Sequence, residues 1–176
     1  MDTPANKQIL RFALLTGLMI GTLDGTAAVV DFLRTYHGNP LIAFQYIAGG
    51  ILGVQTFAGG LLTALLGIAL HYCIAISWTV LFFLLYPRLK LLRGNWIVVG
   101  LVYAVVVWVG MNLFVRPLSR VPHVTWTTFK VIKSIAILMI AVGLPISFIA
   151  RSYFRINRTN AGEPDSPQPP GGLSGS

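Results

Sequence analysis

Charge is what this sequence has least of. Of its 176 residues, 13 are Lys or Arg and 5 are Asp or Glu, about 10% together, against about 25% in an ordinary soluble domain. Between Arg34 and Arg88 no Lys, Arg, Asp or Glu occurs at all. A chain that is 55% hydrophobic, with a mean hydropathy of +0.75, cannot hide its apolar side chains in one small core. Its long uncharged runs place it in the membrane class. Cysteine is scarcer still: Cys73 stands alone inside an apolar run, which excludes an intrachain disulfide and CxxC chemistry and leaves an inert packed thiol. Strand-like alternation is missing too, so a barrel is not expected.

Chemistry-bearing motifs are equally sparse. There is no HExxH, no Walker loop and no pair of carboxylates. Nothing assembles a nucleophile, a base and an oxyanion donor. The expectation is a protein that is not an enzyme, with no catalytic residue, no metal site and no cofactor. Haem ligation is not expected either: His37 and His123 fall in loops, leaving His71 without a partner at matching depth.

The formal net charge of +8 invites a nucleic-acid reading, but the basic residues do not gather on one soluble face. They fall in short groups between apolar spans: Lys7 and Arg11; Arg34; Arg88, Lys90 and Arg93; Arg116 and Arg120; Lys130 and Lys133; Arg151, Arg155 and Arg158. That is how membrane proteins record orientation. The expected partner is the lipid bilayer, with no nucleic acid.

A spanning helix needs about 20 mostly apolar residues, and four segments qualify: about 10–32, 61–86, 96–115 and 131–150. The sequence therefore predicts an all-α, polytopic transmembrane bundle of four helices. The run after Arg11 is longer than a signal-peptide core and reads as a retained first span. Residues 39–60, "NPLIAFQYIAGGILGVQTFAGG", open on a capping Asn39 and a first-turn Pro40 and are then broken by glycines. Gly59 and Gly60 alone are a poor reversal between two buried helices. The segment is expected to be a short, non-spanning helix between the first and second spans. With four spans, the segments 1–11, 87–94 and 151–176 hold eight basic residues and the other side five, which puts both termini in the cytoplasm. The transmembrane domain covers 1–158. Residues 159–176, "TNAGEPDSPQPPGGLSGS", cannot bury enough to fold and are expected to form a disordered cytoplasmic tail.

The first span carries "GTLDGTAA" at residues 21–28. On a helical wheel Gly17, Gly21, Asp24, Ala28 and Asp31 share a stripe, with Gly25 at its edge. Small residues four apart let membrane helices approach closely, so Asp24 should face a packed neighbour. In the second span Gly60, Ala64, Gly67, His71 and Ala75 share a stripe, and His71 lies at a depth similar to that of Asp24. An intramembrane polar pair, Asp24 with His71, is expected between these two spans, where Gly17, Gly21 and Gly67 bring the backbones close. Three arrangements stay open: a contact that locks two helices in register, a proton- or ligand-handling site in a small transporter dimer, or no contact. Gly17, Gly21, Gly25, Gly60, Gly67 and Gly143 are candidate helix-packing positions, inside one chain or between copies in a homo-oligomer. Arg116, Arg120, Lys130 and Lys133, with His123, would form an outer basic rim suited to anions or headgroups.

Three stretches, 60–89, "GLVYAVVVWVGMNLFVRPLSRVP" (100–122) and "VGLPISFIARSYFR" (142–155), resemble a family of small bacterial inner-membrane proteins without a characterised activity, and more distantly the YagU-like inner-membrane proteins. The pieces that carry the resemblance are Leu70-His71, Arg116-Pro117-Leu118-Ser119 with Pro122, and Val142-Gly143-Leu144-Pro145. It implies a four-helix fold in a bacterial cell inner membrane and no particular reaction. Pro145 should bend the last span near Ala141, and Pro117 and Pro122 should end the third.

Overall fold

The computed structural model describes residues 4–115, 120 and 127–161. Every regular element among them is helical: α1 (Pro4–Tyr36), α2 (Leu41–Leu52) with a 3-10 turn (Gly53–Ala58), α3 (Gly60–Leu85), a basic 3-10 turn (Lys90–Arg93), α4 (Trp96–Gly110), α5 (Thr128–Leu138) and α6 (Leu144–Ala161). α4 runs on into a π-helical segment, Met111–Val115, and another, Met139–Gly143, fuses α5 to α6. The chain is a multi-pass helical membrane protein. Among the described residues, five helical stretches are long and apolar enough to cross a bilayer.

The burial pattern inverts that of a soluble protein. α1 buries Ala13, Thr16, Gly17, Ile20, Gly21 and Gly25, spaced three and four apart, and turns Leu14, Leu15, Leu18 and Leu23 outward. Lipid is as apolar as leucine, so leucine gains little by going inside, whereas small residues allow backbones to meet. The core is aromatic toward one end, where Phe12 stacks on Tyr153 at 4.3 Å and Tyr86 on Phe154 at 4.8 Å. Phe82 meets Tyr103 edge-on at 4.5 Å, and the Tyr103 hydroxyl donates to the Trp78 carbonyl at 2.6 Å. Among the described residues no fully buried side-chain nitrogen or oxygen lacks a hydrogen bond, as lipid surroundings demand.

Side-chain register gives the helix directions. Gly17 faces Ile76, Gly21 faces Tyr72 and Ala75, and Gly25 faces His71, so α1 and α3 run antiparallel. Phe12 meets Tyr153 while Asp31 meets Lys133, so α1 is also antiparallel to the α5–α6 helix. Trp96 meets Phe148 and Trp108 bonds Ser134, which sets α4 antiparallel to that helix as well. The end of α1 and the start of α3 therefore lie at the same end of the bundle, and the chain between them leaves and returns there.

The expectation of four apolar segments omits Leu41–Ala58, which at 18 residues is itself long and apolar enough to cross. Its start is as expected: the Asn39 side chain accepts from Leu41 N at 3.0 Å, and Pro40 has φ −58°. It is not one straight rod. Gly53, at φ 72°, turns the chain back, and the Thr56 hydroxyl donates to the Gln45 carbonyl at 3.2 Å. In a continuous helix those residues would be about 16 Å apart. Without the folded-back turn, α2 is about 18 Å long, short of the roughly 30 Å hydrocarbon layer. Gln45, 5% exposed, then donates to the Gly60 carbonyl at 2.8 Å and the Thr63 hydroxyl at 3.2 Å, and Thr63 donates to the Thr56 carbonyl at 2.7 Å.

The π segment Met139–Gly143 ends two residues before Pro145; Pro117 and Pro122 lie outside the described residues. A proline lacks an N–H and clashes with the carbonyl four residues back, and a wide turn relieves that clash. Near Ala141, where a bend is expected, the helix makes a π turn, Met139–Gly143. At the C-terminal side α6 continues to Ala161, past the expected start of the tail at 159; 162–176 lie outside the described residues.

Candidate functional site

The polar seam between α1 and α3 lies about 18 Å along α1 from Tyr36 and about 17 Å along α3 from Gly60, near mid-depth. Gly21 and Gly25 create it: a Cβ on Gly21 would sit 2.9 Å from the Tyr72 ring, and one on Gly25 would sit 3.0 Å from Nε2 of His71. Their missing side chains let the imidazole reach the opposing backbone. Nε2 of His71 donates to the Gly21 carbonyl at 2.8 Å, which places a hydrogen on that nitrogen. Phe44 of α2 and Tyr72 flank the ring edge-on at 6.5 and 5.7 Å.

Asp24 sits half-buried in this seam, with His71 as a neighbouring ionisable group. No ion pair or hydrogen bond joins them; among the described residues, the ion pair is Lys133 with Asp31. The expected polar pair is therefore a proximity, and the bond goes to the backbone instead. At the lipid-facing edge of the seam Thr22 and Tyr72 share a hydrogen bond of 2.9 Å, and Thr22 also donates to the Leu18 carbonyl.

The candidate packing glycines divide into four kinds. Gly17, Gly21 and Gly25 close the α1–α3 seam. Gly67 does not face α1: a Cβ there would fall 1.9 Å from the Phe44 carbonyl oxygen, so it is the crossing point of α2 on α3. Gly143 meets Gly100, where a Cβ would sit 2.2 Å from the Gly100 oxygen, and joins the fused helix to α4. Gly60 is not a packing position. A Cβ there would meet nothing within 4 Å; its φ of 57° and its carbonyl, held by Gln45, make it the hinge into α3. All five packing glycines face helices of their own chain, the first of the two arrangements open from sequence.

Of the residues expected in an outer rim, Arg120, Lys130 and Lys133 are described. Lys133 pairs with Asp31 at 2.5 Å and donates to Thr35 at 3.1 Å. Arg120 is exposed, and its N–H bonds the Gly50 carbonyl at 3.4 Å. Lys130 is half-buried on α5, where Thr127 caps its backbone N–H. Arg116 and His123 lie outside the described residues. Cys73 is exposed and so is not the packed thiol expected from sequence.

Sequence reasoning missed the Gln45–Thr56–Thr63 network and the Asp31–Lys133 pair. Gln45 offered a signal, a strong hydrogen-bonding side chain in an uncharged run; Lys133 offered none, because it lies 102 positions from its partner in the sequence. Comparisons of the chain with protein-family models, with curated proteins and with solved structures find no match.

Proposed function

We propose that this protein is a non-enzymatic membrane bundle with four crossings, in which the Asp24–His71 neighbourhood holds two helices in register. One observation carries the reading: the seam around the two ionisable residues is closed by glycines, and His71 spends its Nε2 hydrogen on the facing backbone. Antiparallel α1 and α3 support four crossings, because a full crossing by Leu41–Ala58 would make them parallel. The folded-back α2 then acts as a wedge entering from one face. Eight basic residues fall in the segments 1–11, 87–94 and 151–176, and by the positive-inside rule this supports a cytoplasmic side for them in a bacterial inner-membrane protein, as the sequence resemblance implies.

The competing reading is a proton-coupled transporter working around Asp24, favoured by two neighbouring ionisable groups at mid-depth. Reconstitution into liposomes carrying a pH gradient separates them. The expected result is dissipation at the rate of protein-free vesicles, the same for wild type and Asp24→Asn. A wild-type proton flux that Asp24→Asn abolishes would overturn the structural reading.

A further inference from the structure

In the antiparallel register of α1 and α3, Gly17 stands opposite Ile76, Gly21 opposite Tyr72 and Gly25 opposite His71. One turn on from His71, toward the start of α3, comes Gly67, and it is met by the Phe44 backbone instead of by α1. The Phe44 ring also stands edge-on to the imidazole at 6.5 Å. Between His71 and the end of the bundle where α1 stops and α3 starts, the chain has therefore placed α2.

That placement is held by side chains. Gln45, next in the chain to Phe44, donates to the Gly60 carbonyl and to the Thr63 hydroxyl, and Thr56 ties the returning turn to the Gln45 carbonyl. The turns after α2 pass through Gly53 at φ 72° and Gly60 at φ 57°, conformations that glycine adopts without strain. A short helix latched in this way is able to lift while α1 and α3 stay packed.

We propose that α2 is a hinged cover, with Phe44 as its closing side chain, that keeps water from that end of the bundle off the His71–Gly21 bond. Water in the seam would offer the carbonyl and the imidazole other partners. With water excluded, the same bond is stronger and costs more to lose. The inference deepens the reading of the seam as a lock between two helices, and it rests on α2 folding back. Maleimide access at Asn39 and Gly60 tests that fold-back separately: reaction from opposite faces would remove it, whereas same-face reaction with an accessible His71 would remove the cover alone.

The test treats the full chain in phosphatidylcholine nanodiscs with diethyl pyrocarbonate, which carbethoxylates unprotonated imidazole nitrogens, and reads each histidine by peptide mass spectrometry. Nε2 of His71 carries its hydrogen and is bonded, so the reagent must reach Nδ1. In the wild type His71 should react at least about tenfold more slowly than the exposed His37. Phe44→Ala should speed His71 about tenfold, and Gln45→Leu, which loosens the latch without shrinking the cover, by a smaller factor. His37 should be unchanged in both. Leu66→Ala, on the exposed face of α3, should leave His71 slow. A wild-type His71 as reactive as His37, or one that Phe44→Ala leaves slow, would refute the cover. So would an equal gain in Leu66→Ala, which would mean entry through lipid. Gains confined to variants whose amide exchange at Gly100 and Gly143 also rises would mean unfolding, and would refute it too.

Discussion

Nε2 of His71 lies 2.8 Å from the main-chain oxygen of Gly21, fifty residues away in the sequence. That bond, and no direct bond to Asp24, fastens α3 to α1 at mid-depth. A glycine carbonyl already serves the helix ladder, so the imidazole uses its second lone pair. The geometry distinguishes the two ionisable residues: His71 bonds the facing helix, and Asp24 makes no bond to it.

The distinction can be measured. His71→Ala should destabilise the bundle by about 1–2 kcal/mol, the range of a membrane hydrogen bond lost with its packing. Asp24→Asn should have a smaller effect. A double-mutant cycle between them should give a coupling below about 1 kcal/mol, read from unfolding in mixed micelles. A coupling of several kcal/mol would mean that a direct pair forms.

Glycine contacts at α4 and the fused helix give a sharper contrast. Gly143→Ala drives a methyl into the Gly100 backbone, which cannot move as a side chain can, and should cost about 1–3 kcal/mol. Gly94→Ala, whose Cβ would sit 3.4 Å from the nearest atom, should change stability by less than about 0.5 kcal/mol. Similar losses at the two positions would contradict the close approach.

The folded-back segment makes a topological prediction. In a Cys73→Ala background, single cysteines at Asn39 and Gly60 should react with a membrane-impermeant maleimide from the same face of the membrane. Reaction from opposite faces would restore five crossings. Within the segment, Gln45→Leu removes the donor to the Gly60 carbonyl and should speed hydrogen exchange at Gly59 and Gly60, with a loss of about 1–3 kcal/mol.

Lys133→Ala breaks the ion pair with Asp31, in which both side chains are 34% exposed. A partly solvated pair is worth little, so thermal stability should fall by at most about 1 kcal/mol, and high salt should shrink the difference further. A larger loss that persists at high salt would show that the pair sits in a drier place than its exposure indicates.

How much of this was legible in the sequence depends on how locally each feature is encoded. The helices were legible because long uncharged runs leave lipid-buried backbone little alternative. Gly17, Gly21 and Gly25 were legible because a four-residue spacing defines a face wherever the helix goes. Gly67 was visible as a packing residue, but its partner was not: which neighbour a small face meets depends on α2 folding back, and that turns on the positive φ at Gly53. The choice of Gly21 over Asp24 by His71 was hidden for another reason, since a backbone carbonyl has no letter of its own.

The two wide turns bear on how the helices should be counted. A π turn takes in one residue more than an α turn, so everything beyond it is moved by one place around the wheel, about 100°. In the fused helix Gly143 lies buried just before Pro145 and Ile146, Ser147 and Ala150 beyond it, one stripe whose direction the wide turn sets. Removing Ile140, whose side chain is 71% exposed, would delete nothing from the core, yet it would return the helix to even phase and rotate that whole buried stripe away from α4. The residue matters here as a spacer, through the angle it adds and not through anything it touches.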